Sequence, residues 1–183
     1  MATHVALLRG VNVGGRNKVP MAELRTAMSS LGYVAVSTYI QSGNVLFTKP
    51  EMDTTVPEEA IAGVIASTFG IKVGVVVVTR DELAAVLSHN PYPDEPNPRY
   101  VHVVFLRAEP EPTVLERLAT ASKAAAVKGS GDSVTVRGRT WYLHTPDGYG
   151  TSELAATVQR ITAPVNGTAR NLATVTKLCD GAA

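Results

Sequence analysis

The feature that most constrains the fold of this chain is an order of elements, strand-helix-strand-strand-helix, that occurs twice. In the first half, apolar patterns predict strands over residues 4–8, 34–40, 45–48 and 73–78 and helices over residues 20–31, 57–69 and 80–88. Thr79 is the expected N-cap of the last of these helices. Up to residue 78, the order is that of a split β-α-β, or ferredoxin-like, unit.

The second half repeats this order after a proline-rich segment. The nine residues from Asn90 to Pro98 include four prolines, which excludes a helix or a central strand there and predicts a boundary. Beyond it we expect strands over residues 101–106, 133–137 and 140–144 and helices over residues 113–126, 152–161 and 168–179, the last replacing a sixth strand. We therefore predict an α+β fold of two ferredoxin-like subdomains, with antiparallel or mixed sheets and helices on one face. The predicted division is residues 1–89, a linker over residues 90–98, and residues 99–183.

Composition narrows the class of protein. Seventeen Lys and Arg against sixteen Asp and Glu leave a net charge of +1, so affinity for a polyanion requires local clustering of cations. A single cysteine, Cys179, excludes an internal disulfide, and the four histidines lack metal-ligand spacing. No leader or membrane-spanning run is recognisable, which favours a cytoplasmic protein without membrane association. We expect no metal and no cofactor.

The connection between the first strand and the first helix is the strongest candidate site. Residues 10–19 (GVNVGGRNKV) make it longer than the usual strand-to-helix loop and enrich it in Gly, Asn and cations. Residues 41–44 (QSGN) form the turn after the second strand, where Gly and Asn supply positive φ. The first two strands of a split β-α-β unit run parallel, so we expect both segments at one edge of the sheet.

Several of these segments resemble the bacterial domain-of-unknown-function family 1697. The similar stretches are residues 7–15 (LLRGVNVGG), 19–25 (VPMAELR), 38–45 (TYIQSGNV), 168–171 (TARN) and 174–178 (TVTKL). The resemblance covers nearly the whole chain and implies two ferredoxin-like halves, but it implies no established activity. One departure is Leu172, at a position where the family usually has an aromatic residue.

Backbone N–H groups of a Gly-rich loop ahead of a helix favour an anion, and Lys18 lies just before the first helix. The predicted last helix places Arg170 in its opening turn, where a cation calls for an anionic partner. The expected ligand is a phosphate-bearing small molecule or a nucleic-acid backbone. The predicted ligand-binding residues are Arg9, Asn12, Gly14, Gly15, Asn17, Lys18, Gln41, Ser42 and Asn44, with Arg170, Asn171 and Lys177 completing the site.

Other interpretations stay open at this point. The asparagines are also typical of residues that cap turns, and the cations of residues that pair with nearby carboxylates. An enzyme would need a base from the second subdomain, for which His144 and Glu153 are the nearest candidates, whereas a Ser42–Lys18 dyad is the least favoured arrangement. A non-catalytic interaction protein would have a loop whose polar groups are satisfied internally.

Overall fold

The computed structural model describes residues 2–50 and 56–181, which form two four-stranded antiparallel sheets with six α-helices. Residues up to 84, together with those from 177 onward, form the first compact unit, and Ala85–Thr176 form the second. The predicted α+β fold of two ferredoxin-like parts is confirmed. No helix in the described ranges combines the length and apolarity needed to cross a bilayer.

The first unit contains four strands and three helices. These are β1 (His4–Leu8), α1 (Met21–Ser30), β2 (Val34–Tyr39), β3 (Asn44–Thr48), α2 (Pro57–Phe69), β4 (Val75–Thr79) and α3 (Arg80–Ser88), of which α3 continues into the second unit. The sheet has the order β2-β3-β1-β4, and every neighbouring pair is antiparallel. Since β1 and β2 are both antiparallel to β3, they run in the same direction and end at the same edge of the sheet.

The core of the first unit follows from the periodicities of its elements. Alternate strand residues such as Ala6, Leu8 and Phe47 share a cluster with the helix pairs Leu24–Met28 and Ile61–Ile65, which are spaced by four residues. At the start of α3, the Thr79 Oγ1 accepts from the Glu82 N–H at 3.1 Å, and a Glu82 carboxylate oxygen accepts from the Thr79 N–H at 2.7 Å. This capping box confirms the predicted N-cap.

The second unit repeats the arrangement with the sheet order β6-β7-β5-β8. Its elements are β5 (Val101–Phe105), α4 (Pro112–Val127), β6 (Ser133–Arg137), β7 (Thr140–His144), α5 (Glu153–Thr162), β8 (Thr168–Asn171) and α6 (Leu172–Asp180), whose end belongs to the first unit. Trp141 and Leu143 of β7 are fully buried in a cluster with α4 and α5. The Ser152 hydroxyl caps α5 by accepting from the Ala155 N–H at 2.8 Å.

The prediction of one final helix over residues 168–179 was wrong, because its first four residues form β8. This strand pairs antiparallel with β5, with Arg170 opposite Val103 and Thr168 opposite Phe105. The helix begins only at Leu172, where the Asn171 side chain accepts from the Thr174 N–H at 2.8 Å. The second unit therefore has the complete β-α-β-β-α-β order, and Arg170 lies on a strand rather than in a helical turn.

The proline-rich segment predicted as a linker, residues 90–98, lies within the second unit. Several of its polar groups are fixed there: the Leu172 N–H donates to the Pro98 carbonyl at 3.1 Å, and the Tyr92 N–H donates to the Asn90 side chain. The role of this segment as a linker between two subdomains stays a prediction. All the other predicted elements begin and end within two residues of the observed ones.

Candidate functional site

The connection after β1 projects as a small hairpin, which we call the tip loop (residues 10–19). Val13 and Arg16 form an isolated antiparallel bridge, and the Arg16 N–H donates to the Val13 carbonyl at 3.0 Å. Between them, Gly14 and Gly15 have φ values of 58° and 75°, the two positive values that a type I′ turn requires. The two glycines therefore shape the turn, and open space surrounds both of them.

Two asparagine side chains fasten the tip loop to its base. The Asn12 amide nitrogen donates to the carbonyls of Val19 (3.0 Å) and Gln41 (2.9 Å), and its oxygen accepts from the Val19 N–H (2.8 Å). The Asn17 amide donates to the Gly10 carbonyl at 3.0 Å. Both residues have positive φ, which asparagine tolerates better than most residues. Both side chains thus stabilise the conformation of the loop.

The turn between β2 and β3 is interlocked with the tip loop. Besides the bond from Asn12 to Gln41, the Leu8 N–H donates to the Gly43 carbonyl at 2.8 Å. Gly43 lies so close to Leu8 and Val11 that a Cβ at this position would come within 2.4 Å of a Val11 methyl group. The predicted convergence of the two segments at one sheet edge is confirmed.

Of the turn's polar residues, Gln41 is exposed, whereas the Asn44 side chain points inward. Asn44 is fully buried, and its amide donates to the Tyr39 carbonyl at 3.1 Å and to the Ser42 hydroxyl at 3.0 Å. Lys18 makes no hydrogen bond or ion pair within residues 2–50 and 56–181. A Ser42–Lys18 dyad, the arrangement that the sequence favours least, therefore has no contact to support it. Ser42 and Asn44 organise the turn.

The cations in the tip loop and directly before it divide into two kinds. Arg9, the residue before the loop, has an interaction partner. Arg16 and Lys18 are exposed, and neither side chain has a hydrogen-bond or ion-pair partner among the described residues. Arg16 is missing from the residues predicted from the sequence, although its position directly after Gly14-Gly15 places it at the closing position of a type I′ turn.

The three C-terminal residues predicted to complete the site have different surroundings. Arg170 is buried on β8, where it donates to the Thr168 hydroxyl at 2.8 Å, and burial lowers its pKa to about 10. Asn171 caps α6, and Lys177 is exposed in the last turn of that helix. Arg170 and Asn171 belong to the second unit and Lys177 to the first, and their membership of the candidate site stays a prediction.

A separate polar cluster surrounds His144 in the second unit. Its Nε2 lies 2.6 Å from a Glu95 carboxylate oxygen, and its ring stacks on Tyr92 with centroids 5.0 Å apart. The Tyr92 hydroxyl in turn accepts from the Ser133 hydroxyl at 3.0 Å. Hydrogen bonds lower the pKa of Glu95, with the larger effect from the Asn97 N–H and the smaller from His144. His144 is thus paired with Glu95, while Glu153 pairs with Lys128 at the surface.

A cavity of about 430 Å³ in the first unit is lined by His4, Arg80 and Cys179 among others. The Arg80 guanidinium donates from Nε and Nη2 to the Cys179 carbonyl at 2.9 and 2.6 Å, which fixes the end of α6. Cys179 is half-buried. Groups of three or more His, Cys, Asp or Glu arranged to hold a metal are absent from the part of the chain that the structure describes.

The fold and the tip loop define an α+β protein of two ferredoxin-like units, the first of which carries a cationic hairpin at its sheet edge. The chain belongs to the family described as "Protein of unknown function (DUF1697)", whose sequence profile matches residues 1–142. It is similar to the solved structure of the conserved bacterial protein SP0830 from Streptococcus pneumoniae, with 22% identity and a TM-score of 0.72 over 100% of this chain and 99% of that one. This likeness shows the fold. No curated protein matches the chain.

The fastening role of Asn12 can be tested by its removal. We expect Asn12→Ala to lower the free energy of unfolding by about 1–2 kcal/mol, because three hydrogen bonds are lost and the two to Val19 are part-buried. Asn17→Ala also replaces an asparagine at positive φ but removes a single exposed hydrogen bond. It should therefore lower the free energy of unfolding by less than Asn12→Ala does. Urea unfolding measures both. Equal losses would contradict the role assigned to Asn12.

Proposed function

We propose that the protein binds a phosphate-bearing ligand, either a small molecule or a nucleic-acid backbone, at the tip loop. The observation that supports this most is the pair of exposed cations, Arg16 and Lys18. Neither has a partner among the described residues, and both lie on a loop that hydrogen bonds of Asn12 and Asn17 hold in place. A loop already in its binding conformation loses little entropy on binding. A guanidinium also matches phosphate geometry through paired N–H donors.

The backbone of the turn adds to this proposal. Gly14 and Gly15 lack a Cβ and are exposed, so a phosphate oxygen can approach their N–H groups closely. We assign contact with the anion to Arg16, Lys18 and these two glycines. Asn12, Asn17, Ser42 and Asn44 are positioning residues in this proposal, because their side chains already bond within the loop and turn.

The test compares a double variant with a control that removes the same charge. Arg16→Gln/Lys18→Gln deletes both tip cations, whereas Arg99→Gln/Lys123→Gln deletes two exposed cations elsewhere. Fluorescence anisotropy with a labelled single-stranded RNA, and thermal shift with ATP and a sugar phosphate, measure binding. We expect the tip variant to bind at least tenfold more weakly and with a shallower salt dependence than wild type, and the control to resemble wild type.

The outcomes separate the candidate functions. A ligand at about 100 times its Kd stabilises the native state by about 2.7 kcal/mol, which a thermal shift detects readily. Equal weakening in both double variants would attribute binding to overall charge and contradict a site at the tip loop. An unchanged melting curve with every phosphate-bearing ligand would reject the proposal.

A second candidate function is recognition of another protein by the same edge. Val13 of the tip loop and Ile40 of the adjoining turn are 63% and 52% exposed. Ile40 also has a φ of 48°, an uncommon and strained conformation for a β-branched residue. Exposed apolar side chains beside cations are typical of protein contacts. If no phosphate ligand binds, this candidate is favoured.

A further inference from the structure

The second unit carries a surface groove between α4 and α5 that is separate from the tip loop. Its volume is about 330 Å³, within the range of small-ligand sites. Small side chains leave this space open, because Ala121 and Ala124 on α4 face the α5 side of the groove where larger residues would fill it. The buried side chain of Ile161 contributes to the lining from α5.

Cations and hydroxyl groups border this apolar floor. Arg117 and Thr120 line the groove from α4, and Thr157 and Arg160 line it from α5. The Arg160 Nη2 donates to the Thr157 hydroxyl at 2.8 Å, a neutral partner that leaves the guanidinium charge uncompensated. Within the described ranges, neither arginine forms an ion pair with a carboxylate. The repulsion between two like charges that line one groove is offset when an anion binds between them.

We propose that this groove binds a small amphipathic anion, namely a carboxylate on a short aliphatic chain. The carboxylate accepts charge-assisted hydrogen bonds from Arg117 and Arg160, and the Thr157 hydroxyl is free to donate its proton because it accepts from Arg160. The aliphatic chain lies on Ala121, Ala124 and Ile161 and removes apolar surface from water. A fully hydrated inorganic anion has nothing to gain from that floor.

The experiment is an amide NMR titration of the full chain with sodium hexanoate, with 1-hexanol and inorganic phosphate as comparison ligands. We expect hexanoate to shift amides of α4 and α5 around the groove and to bind more tightly than either comparison ligand. Arg117→Gln/Arg160→Gln should weaken hexanoate at least tenfold. Arg99→Gln/Arg137→Gln removes the same charge from exposed positions outside the groove and should leave the affinity unchanged.

A steric variant tests the apolar floor independently. Ala124→Leu fills the groove from an exposed position on α4 with a residue that suits a helix, so the fold should be retained. We expect it to abolish the hexanoate shifts while the remaining spectrum matches wild type. The proposal is overturned if hexanoate shifts no α4 or α5 amide, if both arginine double variants weaken it equally, or if phosphate binds the groove as tightly as hexanoate.

Discussion

Replacing Gly43 by alanine should destabilise the protein by about 3 kcal/mol. The added Cβ would lie 2.4 Å from a Val11 methyl group and 2.7 Å from the Leu8 Cβ, and both neighbours are buried. Overpacking of this kind typically costs about 1–3 kcal/mol. The φ of 75° adds about 1 kcal/mol, because an L-residue is strained in the left-handed region.

The matched control is Gly14→Ala. Gly14 also has positive φ, at 58°, but a Cβ there meets nothing within 4 Å. Its expected cost is therefore the backbone strain alone, about 1 kcal/mol. Thermal unfolding should show a Tm lower by about 6–12 °C for Gly43→Ala and about 2–4 °C for Gly14→Ala. Equal shifts would mean that the turn and the tip loop are not interlocked as described.

Most of the fold was predictable because each half obeys simple periodicities. Leu24 and Met28 are spaced by four residues on one face of α1, and four consecutive valines precede the final threonine of β4. The predicted bounds of β6 and β7 match the observed ones, since Gly138 marks the turn between two short β-branched and aromatic runs. In such segments, local preference and tertiary packing favour the same structure.

The strand β8 was missed because its residues carry little local signal. Residues 168–171 (TARN) include only one β-branched residue, and the amphipathic pattern that follows extends smoothly back over them. What makes them a strand is the hydrogen-bonded register with β5, which joins residues far apart in the sequence. Pairing with a distant strand overrides weak strand propensity in this way, and no short stretch of the sequence predicts that pairing.

The location of the candidate site was predictable, whereas the roles of its residues were not. Parallel β1 and β2 place the tip loop and the turn at one edge whatever their side chains do. An asparagine in a Gly-rich loop can either hold the loop or face a ligand, and sequence does not distinguish the two. Asn12 and Asn17 hold the loop, while Arg16, at the end of the tight turn, is left exposed.

Acid should destabilise the protein through His102. The ring lies on β5, stacked on Tyr149 with centroids 3.9 Å apart, and its buried Nδ1 has no hydrogen-bond partner in the described ranges. Burial lowers the pKa of His102 to about 4, from an ordinary value of 6.5. The folded protein therefore keeps this ring neutral under conditions in which the unfolded chain protonates it.

The direction of the effect follows from proton uptake. Below about pH 6.5 the unfolded state binds a proton that the native state takes up only near pH 4, so the free energy of unfolding falls across this window. At about 1.4 kcal/mol per pKa unit, the whole difference amounts to about 3 kcal/mol. Above pH 6.5 the neutral ring is favoured in both states, and His102 adds no pH dependence.

The variant His102→Phe isolates this contribution, because phenylalanine can keep the stacking on Tyr149 but cannot take up a proton. Burial also lowers the pKa of His4. Because wild type and variant both contain His4, its contribution cancels when the loss of stability of the variant is subtracted from that of wild type. Between pH 7 and pH 4.5, urea unfolding should show the variant losing about 2 kcal/mol less than wild type. His89→Gln, at an exposed position, should lose as much as wild type. If His102→Phe and wild type lose stability in parallel, then the native state accommodates the protonated ring, and His102 is not the group that makes the fold sensitive to acid.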